Sequence, residues 1–205
     1  RQMERRSIDL PLFVPAYFHG IWNDVDLMQT MLLEPEVAKK HFSLETIRAK
    51  QIIDDYVALG MDIIGIGGDF AGKAPLISPE VYRNFIVPEI RVVSDHIHTK
   101  SGYSVNATER NIWMMMEDFV HDCSVDAYIE IDYSAGMRIG ELKQHYGSEL
   151  TFMGNMDCGT ILTFGSEDEI KKITHTILDE GWGYGGHIFT ASNAITESVP
   201  INNYM

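Results

Sequence analysis

Short apolar runs alternate with longer amphipathic stretches along the chain, and this alternation limits the possible folds more than any other feature. Six runs have the length and composition of β-strands: residues 12–18, 61–66, 103–107, 127–131, 150–153 and 187–190. The predicted helices cover residues 24–33, 36–59, 78–99, 112–120, 138–145 and 167–178. Strands that alternate with helices predict an α/β fold, with a parallel sheet and helices packed outside it. Connections this short favour right-handed βαβ units in which each strand lies beside its predecessor.

The predicted architecture is an incomplete barrel of about six βα units. A closed (β/α)8 barrel needs two more units, and the chain of 205 residues is at the short end of that fold's range, which begins at about 200 residues. Linkers, low-complexity segments and short repeats are absent, so residues 1–205 are predicted to form a single domain. The helix over 36–59 places Val37, His41, Leu44 and Ile47 near one face.

Charge and composition exclude several classes of partner. Thirty acidic and sixteen basic residues give a formal net charge of −14, which repels nucleic acid and anionic membranes. No apolar run approaches the roughly 18 residues of a membrane span, and the charged start at residues 1–6 lacks an apolar signal core. Two cysteines, Cys123 and Cys158, cannot form a disulfide framework, so we expect reduced thiols and a cytoplasmic location. A small-molecule enzyme is the leading class.

Familiar nucleotide and zinc motifs are not present. The glycine-rich run over residues 65–72 follows a predicted strand, but the third glycine of a dinucleotide-binding motif would fall on Phe70. That turn is better suited to presenting Asp69 at the carboxyl end of a strand, where barrel enzymes carry catalytic groups. The sequence contains neither an H-E-x-x-H pair nor a C-x-x-C pair, so the standard zinc spacings are missing.

Polar side chains gather at the ends of the predicted strands, and they are the candidate site residues. They are Tyr17, His19, Asp69, Asn106, Glu109, Glu130, Asp132, Asn155, Asp157 and Asn193. If the sheet curves as in a barrel, these residues converge on one rim, where neighbouring carboxylates raise one another's pKa. Such a group supplies a general acid or a site for a hard metal ion. The alternative is that some of them, notably Asp132 and Asp157, only cap turns or helix starts.

Several stretches together resemble the uroporphyrinogen decarboxylase superfamily, which includes the haem-pathway decarboxylase and methylcobamide-dependent methyltransferases. The stretches are Gly68-Asp69, Pro75 to Glu80, Arg83, Phe85, Pro88, Ala135 to Met137, Glu141 to Lys143, Tyr146-Gly147, Gly154 to Asp157, Gly185 to Ile188 and Pro200. The resemblance runs from about residue 12 to the end and corresponds to the family's third strand onward. It implies a (β/α)8 barrel, commonly a homodimer, with its active site at the carboxyl ends of the strands. The decarboxylase's substrate-binding arginines and essential aspartate belong to the preceding part.

The resemblance also implies a zinc site, from which this sequence departs. In the methyltransferase branch, an H-x-C-G-N segment and a cysteine near the end of the chain bind the zinc that activates the acceptor thiol. The corresponding positions here are Ala107 and Glu109, and Ser192 or Asn193. Because none of these is a soft ligand, thiolate-type zinc binding is not expected. Oxygen ligands from Glu109 and Glu130, with Asp157 or His19 as a third ligand, are the weaker alternative.

Three functions remain open at this stage. The first is methyl transfer to or from a corrinoid, as substrate or on a partner protein, with Asp69, Glu109 and Glu130 as catalytic candidates. The substrate-binding candidates are Tyr17, His19, Asn106, Asn155, Asp157 and Asn193. The second is cofactor-free decarboxylation of a porphyrinogen or another acidic substrate, although eight arginines are few for a substrate with eight carboxylates and Asn193-Ala194 replaces the decarboxylase's His-Gly turn. The third is a barrel without catalysis that serves as a binding module.

Overall fold

Parallel strands wound in sequence order form the centre of the structure. The computed structural model describes residues 10–71, 75–183 and 185–205. The strands are β1 (Phe13–Pro15), β2 (Ile63–Gly67), β3 (Tyr103–Ala107), β4 (Ala127–Ile129), β5 (Thr151–Met156) and β6 (His187–Ala191). Each strand pairs in parallel with the next, in the order β1-β2-β3-β4-β5-β6. This is the predicted half-barrel, with β1 and β6 at its two edges.

Helices follow the strands, as the alternation predicts. They are α1 (Val25–Leu33), α2 (Pro35–Ala58), α3 (Pro79–Phe85), α4 (Val87–Thr99), α5 (Ile139–Tyr146), α6 (Ile161–Phe164), α7 (Glu167–Gly181) and α8 (Ile201–Tyr204). A 3-10 turn at Trp113–Met115 and a π-helical turn at Asp118–Asp122 replace the regular helix expected over 112–120. None of the helices in the described ranges is long and apolar enough to cross a membrane.

The single helix predicted over 78–99 is broken into α3 and α4. Ser78 begins α3 as its N-cap, accepting a hydrogen bond from Val81 N at 3.2 Å. Pro88 lies in the first turn of α4, where its missing N–H costs nothing. Inside a continuous helix the same proline would remove a hydrogen bond and clash with a preceding carbonyl, so the chain restarts at Val87 instead.

The sheet has a large core on its helical side and a small cluster on its inner side. Ile64, Ile66, Tyr128 and Phe152 point into the helical core, and each is at most 1% exposed. The inner cluster contains Val105, Ala127 and Met153, with Ile63 and Ile129 packed against it. Because the strands are buried on both faces, their sequences are continuous apolar runs and do not alternate between apolar and polar residues.

Helix α2 turns a different side to the core from the one its apolar pattern suggests. Its buried residues are Ala38, Phe42, Thr46, Ala49 and Ile53. The stripe of Val37, Leu44 and Ile47 is more than half exposed on the outer surface. Small residues on the inward face let the helix lie close to its neighbours, so periodicity alone did not identify the packed side.

Candidate active site at the carboxyl ends of the strands

The segment after β1 lies against the end of β2, and this brings Tyr17 and Asp69 to one rim. Pro15 ends the strand early, but Phe18 N and His19 N both donate to Gly67 O at 3.0 Å. A Cβ on Gly68, whose φ is +145°, would lie 2.5 Å from Gly20 N. Glycine at position 68 is therefore needed for the two segments to approach and for Asp69 to follow directly.

Asp69 connects the end of β2 to the loop after β3. Its Oδ1 accepts a hydrogen bond from the backbone N–H of Glu109 at 2.8 Å. The parallel register places Gly67 beside Ala107, so the two loops leave the sheet side by side. Asp69 therefore positions Glu109 through the main chain.

The carboxylate of Glu109 is held by two donors from different loops. Asn193, in the exposed segment after β6, donates from Nδ2 to Glu109 Oε1. Arg110 Nε lies 3.7 Å from Glu109 Oε2, and its NH1 nitrogen lies 3.4 Å from Asp132 Oδ2. Of these two contacts, the positive charge of Arg110 opposes a rise in the pKa of Glu109. Sequence reasoning did not select Arg110. The feature that could have identified it is its position, because it is a cation directly after a carboxylate at a strand end.

Glu130 and Tyr17 lie close enough at the rim for each to shift the pKa of the other. Glu130 directly follows β4. A Cβ on Gly65 would lie 2.7 Å from Tyr17 Cε1, so the tyrosine ring crosses the sheet over a position that only glycine leaves open. Glu130 has a φ of +68°, a left-handed conformation that is uncommon for residues other than glycine.

Neighbouring carboxylates raise the pKa values of Glu109 and Glu130. Burial first, and then the charges of Asp69 and Glu109, raise the pKa of Glu130 to about 7, while Tyr17 lowers it. Burial and the charge of Asp69 raise the pKa of Glu109, and Arg110 opposes that rise. Burial and Glu130 raise the pKa of the Tyr17 hydroxyl. Glu130 is therefore the carboxyl that exchanges a proton near neutral pH.

Two of the predicted site residues lie in the helical layer and not beside these carboxylates. His19 is 1% exposed, and its Nε2 contacts Thr46 Oγ1 at 2.9 Å. Burial, with a smaller contribution from His41, lowers the pKa of His19 to about 4, so the ring is neutral. Asn106 is also 1% exposed, beside Tyr82 on the helical side of β3, and its Nδ2 has no hydrogen-bond partner among the described residues.

Asn155 is also enclosed, beneath the loop between β4 and α5. It is fully buried, and its Nδ2 donates to Met137 O at 2.6 Å. That hydrogen bond ties the end of β5 to the segment that leads into α5. Because its side chain is enclosed, Asn155 would influence substrate binding only by way of this loop.

Asp157 and Asp132 have the geometry of turn caps, which was the alternative interpretation of both. Asp157 Oδ1 accepts from Thr160 N at 2.7 Å, immediately before α6. Asp132 Oδ1 accepts from Ala135 N at 3.1 Å, while its other oxygen faces Arg110. Asp132 therefore holds a turn and a cation together.

The residues present do not fit the thiolate zinc site of the methyltransferase branch. Ala107 is a buried apolar residue, and Glu109 is already hydrogen-bonded by Asn193. Ser192 Oγ lies 3.7 Å from Cys158 Sγ, so a thiol does occur on this side of the rim. In the described part of the chain, however, no three His, Cys, Asp or Glu side chains form a group that could hold a metal ion.

Comparison with known proteins places this architecture in a family. The family model for uroporphyrinogen decarboxylase (URO-D) matches residues 20–205. Uroporphyrinogen decarboxylases from Thermodesulfovibrio yellowstonii and Geotalea daltonii are 22% and 24% identical over 87% and 86% of this chain. The matched region covers 49% of each relative, so the chain spans about half the length of the curated relatives it matches.

Solved structures support the same fold. A methyltransferase from Methanosarcina mazei superimposes with a TM-score of 0.80 at 18% identity, covering 98% of this chain and 58% of that one. A xylose isomerase-like TIM barrel/4-hydroxyphenylpyruvate dioxygenase fusion protein gives a TM-score of 0.52 at 15% identity, covering 97% and 32%. The likeness to both is one of fold, the incomplete barrel described above. With its family model matched from residue 20 to the end, the chain belongs to the uroporphyrinogen decarboxylase family.

Proposed function

We propose that this chain carries the proton-transfer residues of a methyltransferase that exchanges a methyl group between a small molecule and a corrinoid on a partner protein. The observation that carries the proposal is the carboxylate cluster at the strand ends, in which Asp69 Oδ1 accepts from Glu109 N at 2.8 Å and the charges of both residues act on Glu130. A carboxyl group whose pKa is about 7 is suited to give or take a proton at physiological pH. Methyl transfer to or from oxygen, nitrogen or sulfur requires such a step whenever the demethylated group is basic.

Each residue of the cluster has a part in this proposal. Glu130 holds the mobile proton, and Tyr17 lowers the pKa of its carboxyl group. Asp69 fixes the main chain at Glu109, and the charge of Glu109 helps to keep the proton on Glu130. The corrinoid, as substrate, supplies the cobalt that binds the methyl group. Because the thiolate zinc site is not formed by these residues, the proposal contains no zinc-dependent step.

The name of the Methanosarcina mazei neighbour supports the choice of reaction class. The charge at the rim supports it further. Arg110 is a cation at this rim, and it already contacts Glu109 and Asp132. This arrangement repels a polyanionic substrate and accepts a neutral one.

Decarboxylation of a porphyrinogen is the second candidate, favoured by the names of the two curated relatives. In that reaction Glu130 would return a proton to the carbon that loses carbon dioxide. The substrate carboxylates would need cations beyond Arg110, and the chain has a formal net charge of −14. We therefore rank this candidate below methyl transfer.

Two assays on the full chain separate the candidates. In the first, cobalamin reduced to its Co(I) form is mixed with a panel of methyl donors, and its methylation is followed by the change in visible absorption. In the second, uroporphyrinogen is added and loss of carboxyl groups is followed by mass spectrometry. Methylation that falls by about 100-fold or more in Glu130→Gln supports the proposal. Carboxyl loss without cobalamin methylation overturns it in favour of the second candidate.

A further inference from the structure

The segment after β6 is anchored at both ends and exposed between them. Ser192 N donates to Met156 O at 2.7 Å, which continues the pairing of β5 with β6 by one residue. At the far end Val199 is buried in the core, and Asn203 Nδ2 donates to two carbonyl oxygens at the end of α6, at 2.9 and 3.2 Å. Every residue from 193 to 198 is exposed. We call residues 193–198 the strap.

One contact joins the strap to a distant loop. Asn193 Nδ2 donates to Glu109 Oε1, although Asn193 follows β6 and Glu109 follows β3, three strands away. Three strand spacings in a flat sheet amount to about 14 Å, which is too far for the two side chains. They meet because the sheet curves, so the contact spans the opening at the carboxyl ends of the strands, which we call the mouth of the half-barrel. In the described part of the chain, the strap's other side-chain hydrogen bonds stay within it, from Ala194 N to Asn193 and between Thr196 and Ser198.

The two partners of this contact differ in how firmly they are held. The Glu109 side chain is 23% exposed, its backbone N–H donates to Asp69 Oδ1 at 2.8 Å, and its Oε2 lies 3.7 Å from Arg110 Nε. Asn193, by contrast, belongs to the exposed strap. One hydrogen bond to a carboxylate changes an opening equilibrium by on the order of ten- to a hundredfold, so this contact holds the strap closed and still lets it open.

We propose that the strap is a hinged cover over the mouth of the half-barrel and that the contact between Asn193 and Glu109 holds it closed. Ser192 and Val199 are the two hinge ends, because they stay fixed to the sheet and to the core while the residues between them move. A ligand that binds Glu109 at the rim displaces Asn193 and opens the strap, so binding and opening are coupled. This inference goes beyond the proposed function, since it does not depend on which reaction the rim carries out.

Cleavage of the full chain by a glutamate-specific protease tests the inference, because Glu197 is an exposed residue of the strap. Cleavage after Glu197 requires the strap to leave the rim, and its rate follows the open fraction. We expect Asn193→Ala and Glu109→Ala each to speed this cleavage by about tenfold, and the double variant to add little, because both changes remove the same hydrogen bond. Asn202→Ala, an exposed asparagine on α8, is the matched control and should leave the rate unchanged.

Alkylation of Cys123 detects unfolding separately, because this thiol is fully buried and reacts only when the core opens. We expect it to stay unmodified in every variant. Cleavage of Asn193→Ala no faster than that of Asn202→Ala would overturn the inference, and so would effects of the two single changes that multiply in the double variant. If Cys123 reacts in Asn193→Ala, the decision rests on Asn193→Lys. That variant places a cation against Glu109 and should slow cleavage below the rate of the parent, and equal or faster cleavage would overturn the inference.

Discussion

Asp69, which follows β2, accepts a 2.8 Å hydrogen bond at Oδ1 from the backbone N–H of Glu109, which follows the neighbouring strand β3. The charges of both residues raise the pKa of Glu130, which follows β4, and Tyr17, which follows β1, lowers it. Residues from four strand ends therefore act on one another at this rim.

Tyr17→Phe removes the hydroxyl that lowers the pKa of Glu130, so that pKa should rise above its value of about 7. Carbon-13 NMR of side-chain carboxyl groups, recorded as a function of pH, measures the change. The matched control is Tyr103→Phe, an exposed tyrosine at the start of β3, at the opposite end of the strands from the site. An unchanged Glu130 titration in Tyr17→Phe would show that the hydroxyl does not act on the carboxylate in solution.

Glu130→Gln should change how stability depends on pH. The folded-state pKa of Glu130 is about 7 against an ordinary value of 4.5. Between these pH values the folded chain binds a proton that the unfolded chain does not, so this stabilisation is present at low pH and is lost as the pH rises through 7. The free energy of unfolding of Glu130→Gln, measured relative to that of the parent, should therefore rise by on the order of 2 kcal/mol between pH 5 and pH 8.

Urea unfolding of both proteins at several pH values measures that difference. Glu36→Gln, on the exposed surface of α2, provides a control whose difference from the parent should stay flat. A flat difference for Glu130→Gln as well would mean that Glu130 is not held protonated by the fold.

Arg110→Gln should raise the pKa of Glu109, because Arg110 lowers it in the folded chain. A protonated Glu109 no longer repels the charge of Glu130, so the pKa of Glu130 should fall and the two titrations should converge. Carboxyl carbon-13 NMR follows both groups, and Arg91→Gln on α4 is the exposed control. If Glu109 titrates as before in Arg110→Gln, the guanidinium does not lower its pKa.

Gly68→Ala should destabilise the fold and disturb Asp69. A methyl group there would lie 2.5 Å from Gly20 N, in a backbone with φ of +145°. Gly136→Ala is a control for the conformational cost alone, because its φ is +88° but nothing lies within 4 Å of the added carbon. We expect a loss of about 1 kcal/mol at Gly136 and about 3 kcal/mol at Gly68, measured by urea unfolding. Similar losses at the two positions would contradict the close approach of the segments.

The alternation of apolar runs and amphipathic stretches determined the order and type of most elements, because strand and helix periods are local properties of the sequence. It also located the polar residues at strand ends, since a parallel sheet brings all carboxyl ends to one edge. Local patterns did not reveal the break at Pro88 or the outward-facing stripe on α2. Both depend on how closely neighbouring helices pack.

Only the tertiary structure decided which strand-end residues act together. Asp69, Glu109 and Glu130 look alike in the sequence, yet Arg110 and Asn193 contact Glu109, while burial and the charges of Asp69 and Glu109 raise the pKa of Glu130. His19 was an equally plausible candidate, but its side chain turns toward Thr46 in the helical layer. The pKa of a group depends on burial and on charges brought from distant parts of the chain, and those appear only when the sheet is assembled.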